Sequence, residues 1–311
     1  MKEVKLTGGG YEATVLPEFG ANCISLRHLH SGATLLREPE TEEELVKNPV
    51  LYGTPLLFPP NRIEDGRVEF HGKTYSFPIN EPERRVHLHG NLYQTPFEVE
   101  DTSESEATFV YRATEEMPYF DYRAFRIQIT YLLDENGLKQ TVTMFNESEE
   151  PVPIGLGFHT AFSTPFLPEG NPEDILLQGE LGAEYSRDPE RLLTVWEPLT
   201  DSETHRAIEN GTFCPHGKGV SAQYRCGNSR TMRVIDQKSG AAVVYEVSEN
   251  YFSWLTWKPR GSDFLCLEPQ SWLVNAPHAP NPTEAGVKTV APGESITFST
   301  RLYLSEKDHN R

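Results

Sequence analysis

Two ionisable side chains lie among apolar residues, where they could transfer protons. Glu268 follows the apolar residues 264–267, and a carboxylate at the end of a buried strand is costly unless it is paired or functional. His159 lies between Phe158 and Phe162 in a glycine-rich, proline-flanked segment. A partly desolvated imidazole with a pKa within reach of neutral pH suits a general acid, although a structural core histidine is the alternative for His159.

Other polar residues have types that suit the binding of a polar ligand. Arg62 follows Asn61 and a pair of prolines, and its planar fork of donors could hold a hydroxyl or a carboxylate; a surface ion pair is the alternative. His89 lies two residues after His87, so strand spacing would place both on one face. An H-x-H pair can bind metal, but a third ligand at recognisable spacing is lacking, so no metal site is predicted. A hydrogen-bonded structural role is the alternative for His89.

The elements that must position these residues are predicted to be strands. Apolar and polar residues alternate over most of 125–133, a turn sequence follows at 134–137, and 138–145 begins a second strand, which together predict an antiparallel hairpin. Further strands are predicted at 12–16, 107–112, 241–247, 251–256 and 296–304. The best helix candidate follows Thr41, which has capping-box spacing to Glu44, and ends at Pro49.

These patterns predict an all-β fold. The sequence contains no G-x-G-x-x-G, no phosphate-binding loop and no βαβ rhythm, so a nucleotide-binding α/β fold is not expected. No break in composition separates two independent cores. We therefore expect residues 1–311 to form one large antiparallel β-sandwich domain.

Composition limits the partners. The 311 residues carry a formal net charge of −18, which would repel phosphate backbones and anionic lipid and argues against nucleic acid and membrane surfaces. No stretch approaches the ~20 apolar residues of a membrane helix, and the first residues lack an apolar export core. Without an export signal we expect a cytoplasmic protein whose four cysteines are free thiols, and two disulfides in a secreted chain are the alternative. No C-x-x-C pair is present, so a cysteine-based zinc site is not expected. The oligomeric state is not readable from the sequence.

Taken in order, the polar segments resemble the motifs of the aldose 1-epimerase (galactose mutarotase) family. That family shows an N-R-I motif, a G-x-(F/Y)-x-F-x-G motif, an L-H-G, a histidine in a short aromatic loop and an L-E-P/T-Q segment. The matching segments here are Asn61-Arg62-Ile63, residues 66–72, Leu88-His89-Gly90, residues 159–162 and Leu267-Glu268-Pro269-Gln270. The resemblance runs over nearly the whole chain; no single motif is diagnostic, but their occurrence together in the right order is specific.

The resemblance implies a galactose mutarotase-like supersandwich that binds a small-molecule sugar in an open cleft, without metal, nucleotide or other cofactor. It implies that Glu268 is the catalytic base, that His159 is the catalytic acid, and that His89, Arg62 and, more weakly, Asn61 bind sugar oxygens. The implied activity is interconversion of the α and β anomers of a free aldohexose by ring opening and reclosure.

One departure from the family and several alternatives remain. The family's sugar-binding aspartate has no counterpart in residues 213–219, where His216 could substitute for it, and Asp236 further on resembles a turn residue. The adjacent Arg84 and Arg85 raise a hexose phosphate as a variant substrate. A non-catalytic carbohydrate-binding or regulatory module is the alternative from another class. Glycoside hydrolysis would need a second carboxylate, for which Glu64 or Asp65 are the candidates.

Overall fold

The computed structural model describes residues 1–199 and 202–306, and most of its regular structure is β-strand. The strands are β1 (Val4–Gly8), β2 (Tyr11–Leu16), β3 (Asn22–His28), β4 (Ala33–Thr34), β5 (Leu56–Leu57), β6 (Arg62–Glu64), β7 (Arg67–Phe70), β8 (Lys73–Ser76), β9 (Val86–Leu88), β10 (Glu98–Thr102), β11 (Glu106–Ala113), β12 (Phe125–Asp134), β13 (Gly137–Asn146), β14 (Val152–Ile154), β15 (Gly157–Phe158), β16 (Thr160–Ser163), β17 (Ile175–Gly179), β18 (Leu181–Arg187), β19 (Thr194–Leu199), β20 (Val220–Cys226), β21 (Thr231–Asp236), β22 (Ala242–Val247), β23 (Ser253–Lys258), β24 (Phe264–Gln270), β25 (Lys288–Val290) and β26 (Ser295–Ser305). The helices are α1 (Glu42–Lys47) and α2 (Glu203–Glu209), and short 3₁₀ turns lie at Leu92–Gln94, Pro172–Asp174 and Ala276–His278.

Two large sheets dominate the architecture. The first has eight strands in the order β10-β11-β12-β13-β26-β22-β21-β17. The second has the order β19-β18-β20-β23-β24-β15-β5, with β16 also paired to β24. Strands that pair within these two sheets are antiparallel. The all-β, antiparallel prediction is therefore confirmed.

The predicted hairpin forms with the expected register. Strands β12 and β13 pair from Phe125↔Asn146 to Asp134↔Gly137, and the two residues between the last pair make the turn. Buried positions alternate along the whole of β12, so one face packs into the core. Gly137 has a φ of 89°, a conformation that glycine adopts without the steric cost of a side chain.

The two large sheets pack through aromatic residues. Tyr245 of β22 in the first sheet contacts Phe162 of β16 and Trp254 of β23 in the second, with ring centroids 5.6 and 5.4 Å apart. Trp254 pairs with Pro269 of β24, and side chains alternate between the faces of a strand. It follows that Glu268 faces away from this sandwich core, toward the loops that cover the outer face of the second sheet.

Helix α1 follows the prediction, whereas α2 was not predicted. The Thr41 hydroxyl accepts the backbone N–H of Glu44, and α1 ends at Lys47, before Pro49. Helix α2 begins after Ser202, whose hydroxyl accepts the backbone N–H of His205. This second helix is only two turns long, too short for its periodicity to be distinguished from a loop.

Two further observations concern the helices and the cysteines. None of the helices in 1–199 and 202–306 has the length and hydrophobicity that a membrane crossing requires. The four cysteines, Cys23, Cys214, Cys226 and Cys266, are free thiols.

Candidate active site

The register of the second sheet places His159 opposite Glu268. Strand β15 pairs Gly157 with Gln270 of β24, and strand β16 pairs Thr160 with Leu267 of the same strand. His159 lies between the two short strands, so the same antiparallel register brings it opposite Glu268. The backbone N–H of His159 also donates to the Pro55 carbonyl at 3.1 Å, which anchors the connection from the other side.

The two side chains are buried and in contact. His159 Nε2 lies 3.2 Å from Glu268 Oε1, and the residues are 5% and 1% exposed. Glu268 Oε2 accepts a hydrogen bond of 3.0 Å from Gln270 Nε2. One carboxyl oxygen is thus held by the neighbouring amide, while the other faces the imidazole. We refer to His159 and Glu268 as the dyad.

Burial shifts the pKa of Glu268 and that of His159, each in the direction that favours the neutral form of the side chain. Desolvation raises the pKa of Glu268 to about 8, against the opposing influence of the Arg187 and Arg62 charges and of the Gln270 hydrogen bond. Desolvation lowers the pKa of His159 to about 4, an effect that hydrogen bonding to backbone groups partly offsets. Because the shifts point in opposite directions, the dyad holds one proton in total across the neutral range.

A dyad with one proton contains one acid and one base. The proton lies on the carboxyl oxygen or on the imidazole, and transfer across the 3.2 Å contact exchanges the two arrangements. Both arrangements have zero net charge, so transfer does not require the site to take up or lose a proton. The arrangement can therefore remove a proton from one ligand atom and deliver a proton to an adjacent atom.

His89 lies beside the dyad, and its tautomer is fixed. Its ring centroid is 5.4 Å from that of His159 in an edge-to-face arrangement. The backbone N–H of Asn61 donates to His89 Nδ1 at 3.3 Å, and the backbone N–H of His89 donates to the Asn61 carbonyl at 3.0 Å. Burial and the nearby His159 keep the pKa of His89 well below its usual value, so the ring is neutral. With Nδ1 accepting, the remaining proton is on Nε2, which can donate to a ligand oxygen.

Arg62 is held in place by a carboxylate. Its Nε and Nη2 donate to Glu81 Oε2 and Oε1 at 2.7 and 3.0 Å, and its side chain is only 12% exposed. Asn61 Oδ1 accepts the Arg62 backbone N–H at 3.1 Å and lies 3.5 Å from Nη1. Asn61 has a φ of 59°, a left-handed conformation that asparagine tolerates better than most residues. In this structure Asn61 therefore orients Arg62 and His89 through its own contacts.

His87 has a structural position instead of sharing a face with His89. Its Nδ1 lies 2.7 Å from the Pro78 carbonyl, and its Nε2 accepts the Gly90 N–H at 3.0 Å. Strand β9 ends at Leu88 and His89 has a φ of 68°, so the strand spacing that predicted a common face does not extend to His89. No group of three or more His, Cys, Asp or Glu in the described ranges is arranged to hold a metal ion.

Three tryptophans that lie near Glu268 in the sequence differ in burial. Trp254 and Trp272 are 0% and 1% exposed and belong to the core. Trp257 is partly exposed, and its ring centroid is 5.6 Å from that of His159. Trp257 is thus the tryptophan of β23 that can contact a ligand beside the dyad.

Several charged candidates lie in local contacts away from the dyad. Asp236 caps the turn after β21 by accepting from the backbone N–H and hydroxyl of Ser239 at 2.7 and 2.9 Å, as its turn sequence predicted. Arg85 Nη2 lies 3.1 Å from Asp65 Oδ1, and the Arg191 guanidinium pairs with the same oxygen. Arg191 likewise contacts Glu64, so both acids considered for glycoside hydrolysis are ion-paired.

Three polar residues of the site were not singled out from the sequence. Glu81 holds Arg62, Gln270 holds Glu268, and Arg187 at the end of β18 lies on the same sheet face as the dyad. The Q of the L-E-P-Q segment was the only available signal for Gln270. Glu81 and Arg187 act across strands and loops far apart in the chain, and no local pattern indicates such partners.

Fold and site together define a galactose mutarotase-like sandwich with a histidine–glutamate dyad on one sheet face. A family model described as aldose 1-epimerase matches residues 2–303, so the chain belongs to the aldose 1-epimerase family.

The solved structures most relevant here share the fold. A galactose mutarotase-like protein from Clostridium acetobutylicum is 28% identical, with a TM-score of 0.92 and 98% of each chain covered. An aldose epimerase homologue from C. elegans is 18% identical, with a TM-score of 0.80 and 99% of each chain covered, which shows the fold alone. Among curated proteins, the uncharacterized protein YihR of Escherichia coli K12 is 28% identical over 159 residues, which are 50% of this chain and 48% of that protein. The chain thus spans about half the length of this relative.

Proposed function

We propose that the protein is an aldose 1-epimerase, which interconverts the α and β anomers of an aldose by acid–base catalysed ring opening and reclosure. The observation that carries the proposal is the buried 3.2 Å contact between His159 Nε2 and Glu268 Oε1. The two oxygens of a cyclic hemiacetal, the anomeric hydroxyl and the ring oxygen, are bonded to the same carbon. An acid and a base in contact with each other can therefore face both oxygens at once.

The proposed reaction needs only proton transfers. The deprotonated Glu268 removes the proton of the anomeric hydroxyl, the carbonyl bond forms at C1, and the bond from C1 to the ring oxygen breaks. The protonated His159 supplies a proton to that ring oxygen as it leaves. After rotation about C1–C2 the same groups act in reverse, and the ring closes on the other face of the carbonyl. Each assisted transfer typically contributes about 10²–10⁴-fold.

The neighbouring residues are suited to hold the sugar. Nε2–H of His89 and the unpaired N–H groups of Arg62 are donors for sugar oxygens, and the partly exposed ring of Trp257 can pack against an apolar face of the ring. Asn61 orients the first two. The roles proposed for His89 and Arg62 agree with those that the resemblance implies, whereas Asn61, for which the resemblance implies sugar binding, is assigned here to orienting them.

Polarimetry of freshly dissolved α-D-glucose and α-D-galactose tests the proposal. The wild-type protein is expected to accelerate the decay of optical rotation, and Glu268→Gln is expected to lose that acceleration. Glutamine can preserve the contacts with Gln270 and His159 while removing the titrating group, so circular dichroism of the variant should match the wild type. Saturable sugar binding with no acceleration would favour the non-catalytic binding module instead.

A further inference from the structure

Arg187 presents a guanidinium to the face of the sheet that carries the dyad. It is the last residue of β18, and its Nη2 donates to the Ser221 hydroxyl on β20. Ser221 pairs with Trp257, and Trp257 pairs with Cys266, two residues before Glu268. Cross-strand neighbours share a face of the sheet. Arg187, Ser221, Trp257 and Glu268 therefore line one surface.

Arg187 lacks a carboxylate partner in the described part of the chain. Arg62, by comparison, is held by both oxygens of Glu81. The protein has 46 acidic against 28 basic residues, so counter-charges are abundant, yet none of those described lies within ion-pair distance of this guanidinium. A partly buried cation without a counter-charge is unfavourable by itself.

The charges around the dyad sum to a positive excess. The dyad with its single proton has no net charge, and Glu81 compensates Arg62; Arg84, whose Nε lies 3.9 Å from the same carboxylate, adds to the positive excess. Burial and the nearby Arg62 lower the pKa of Arg187 to about 10, although Glu268 partly opposes the shift, so Arg187 remains charged at neutral pH. The site can therefore accept one negative charge from a ligand.

Another donor without an acceptor lies in the neighbouring cross-strand row, which contains Glu268. Gln223 pairs with Leu255, and Leu255 pairs with Glu268. Gln223 is fully buried, and its Nε2 has no hydrogen-bond partner in the structure. Arg187 and Gln223 together carry more hydrogen-bond donors than the protein supplies acceptors for. A ligand group rich in acceptors would satisfy this excess.

We propose that the aldose bound by this protein carries an acidic substituent, a carboxylate or a phosphate ester, and that Arg187 binds it with its guanidinium fork oriented by Ser221. The inference rests on the proposed function and narrows its substrate class from neutral aldohexoses to acidic monosaccharides. A guanidinium suits this role because its planar donors match the paired oxygens of carboxylate and phosphate.

The test compares sugars that share one stereochemistry. D-galactose, D-galacturonate and D-galactose 6-phosphate are supplied to the wild-type protein, and kcat/KM for anomer exchange is measured by NMR exchange spectroscopy. At least one acidic sugar is expected to exceed galactose by about tenfold or more, and the preferred acid identifies the substituent. Arg187→Gln is expected to lower the acidic-to-neutral ratio by about 10–100-fold, the effect of losing charge-assisted hydrogen bonds. Arg187→Lys should recover part of the ratio because it keeps the charge without the fork.

A matched control removes another arginine from a neighbouring position. Arg225 of β20 is exposed and lies over the ring of Phe252, 4.7 Å from its centroid. Arg225→Gln is expected to retain the wild-type ratio. Calorimetric titration of the same sugars into the same proteins measures the charge preference without turnover.

The outcomes separate this inference from the proposed function. Charge-selective binding that Arg187→Gln removes, with no acceleration of any sugar, would refute the epimerase activity and support the role of Arg187. Acceleration of galactose with no preference for either acidic sugar would refute the role of Arg187 and support the epimerase. A preference that survives in Arg187→Gln would also overturn the inference.

Discussion

At the scale of single residues, the proposed catalysis depends on which group of the dyad holds one proton. Burial raises the pKa of Glu268 and lowers that of His159, so the resting dyad favours the neutral carboxylic acid and neutral imidazole. The reaction as proposed uses the carboxylate and the imidazolium. Transfer of one proton over 3.2 Å converts the first arrangement into the second, and the nearby positive charges of Arg62 and Arg187 favour the carboxylate.

The dyad predicts a bell-shaped pH dependence of kcat/KM for anomer exchange. Activity requires one proton on the pair, so it should be constant between the two limbs, which are expected near pH 4 and near pH 8. Below the lower limb both groups are protonated and the base is lost; above the upper limb both are deprotonated and the acid is lost. The measurement is the initial rate at low sugar concentration across this range, corrected for the uncatalysed reaction. A profile that keeps rising through pH 9 would contradict a dyad with one essential proton.

The raised pKa of Glu268 also predicts how stability depends on pH. The folded protein holds this proton up to about pH 8, whereas the unfolded chain loses it near the ordinary value of 4.5. Folding stability from this group is therefore complete below the unfolded pKa and is lost as pH rises through the folded pKa. Glu268→Gln has no such proton to lose, so its advantage in Tm over the wild type should increase from about pH 5 to about pH 9. The control is Asp236→Asn, which makes the same change from carboxylate to amide at a buried position in the first sheet. A Tm difference for Glu268→Gln that does not change with pH would contradict the raised pKa.

At the scale of elements, the sequence predicted where the strands begin and end better than it predicted which strands pair. Alternation of apolar residues located β12, β13 and β26 almost to the residue, because one buried face is a local signal. The apposition of His159 and Glu268 depends on the register of β15 and β16 against β24, more than a hundred residues away. The motifs singled out both residues, whose catalytic roles stay predictions, and the same segment contains Gln270, which contacts Glu268 from two residues further along β24. The positions of Glu81 and Arg187, in contrast, arise from tertiary pairing that local patterns do not encode.

The L-H-G segment is held by His87, which bonds to backbone groups and does not contact the dyad. His87 is 1% exposed, bridges the Pro78 carbonyl and the Gly90 N–H, and stacks on Phe77 with ring centroids 5.1 Å apart. Gly90 has a φ of 65°, and a side-chain carbon there would lie 1.9 Å from the Phe58 carbonyl oxygen. The segment therefore positions His89 through backbone contacts on both sides of it.

Replacement of His87 should consequently reduce stability. His87→Leu leaves the Pro78 carbonyl and the Gly90 N–H without partners, which is expected to lower the free energy of unfolding by about 1–3 kcal/mol. Urea denaturation provides the measurement, and His216→Leu is the matched control because His216 is exposed. Equal stability of the two variants would show that the His87 contacts contribute nothing.

At the scale of the whole molecule, the net charge of the protein and the local charge of the surface that carries the dyad have opposite signs. The formal net charge of −18 repels anionic polymers, yet the surface that carries the dyad has an excess cation at Arg187. Strand β24 is buried at all seven positions, so Glu268 lies among buried neighbours on that surface. Composition gives the sign of the net charge but not this local positive excess, since net charge says nothing about where folding places a single guanidinium.

The most direct test of the central claim is a double-mutant cycle on the dyad, with anomer exchange of the preferred sugar as the readout. Glu268→Gln and His159→Asn are each expected to reduce kcat by about 10²–10⁴-fold, and the double variant should be little worse than either, because the two groups act as one unit. Additive losses, or a single variant with near-normal exchange, would contradict the assignment of His159 and Glu268 as an acid–base pair.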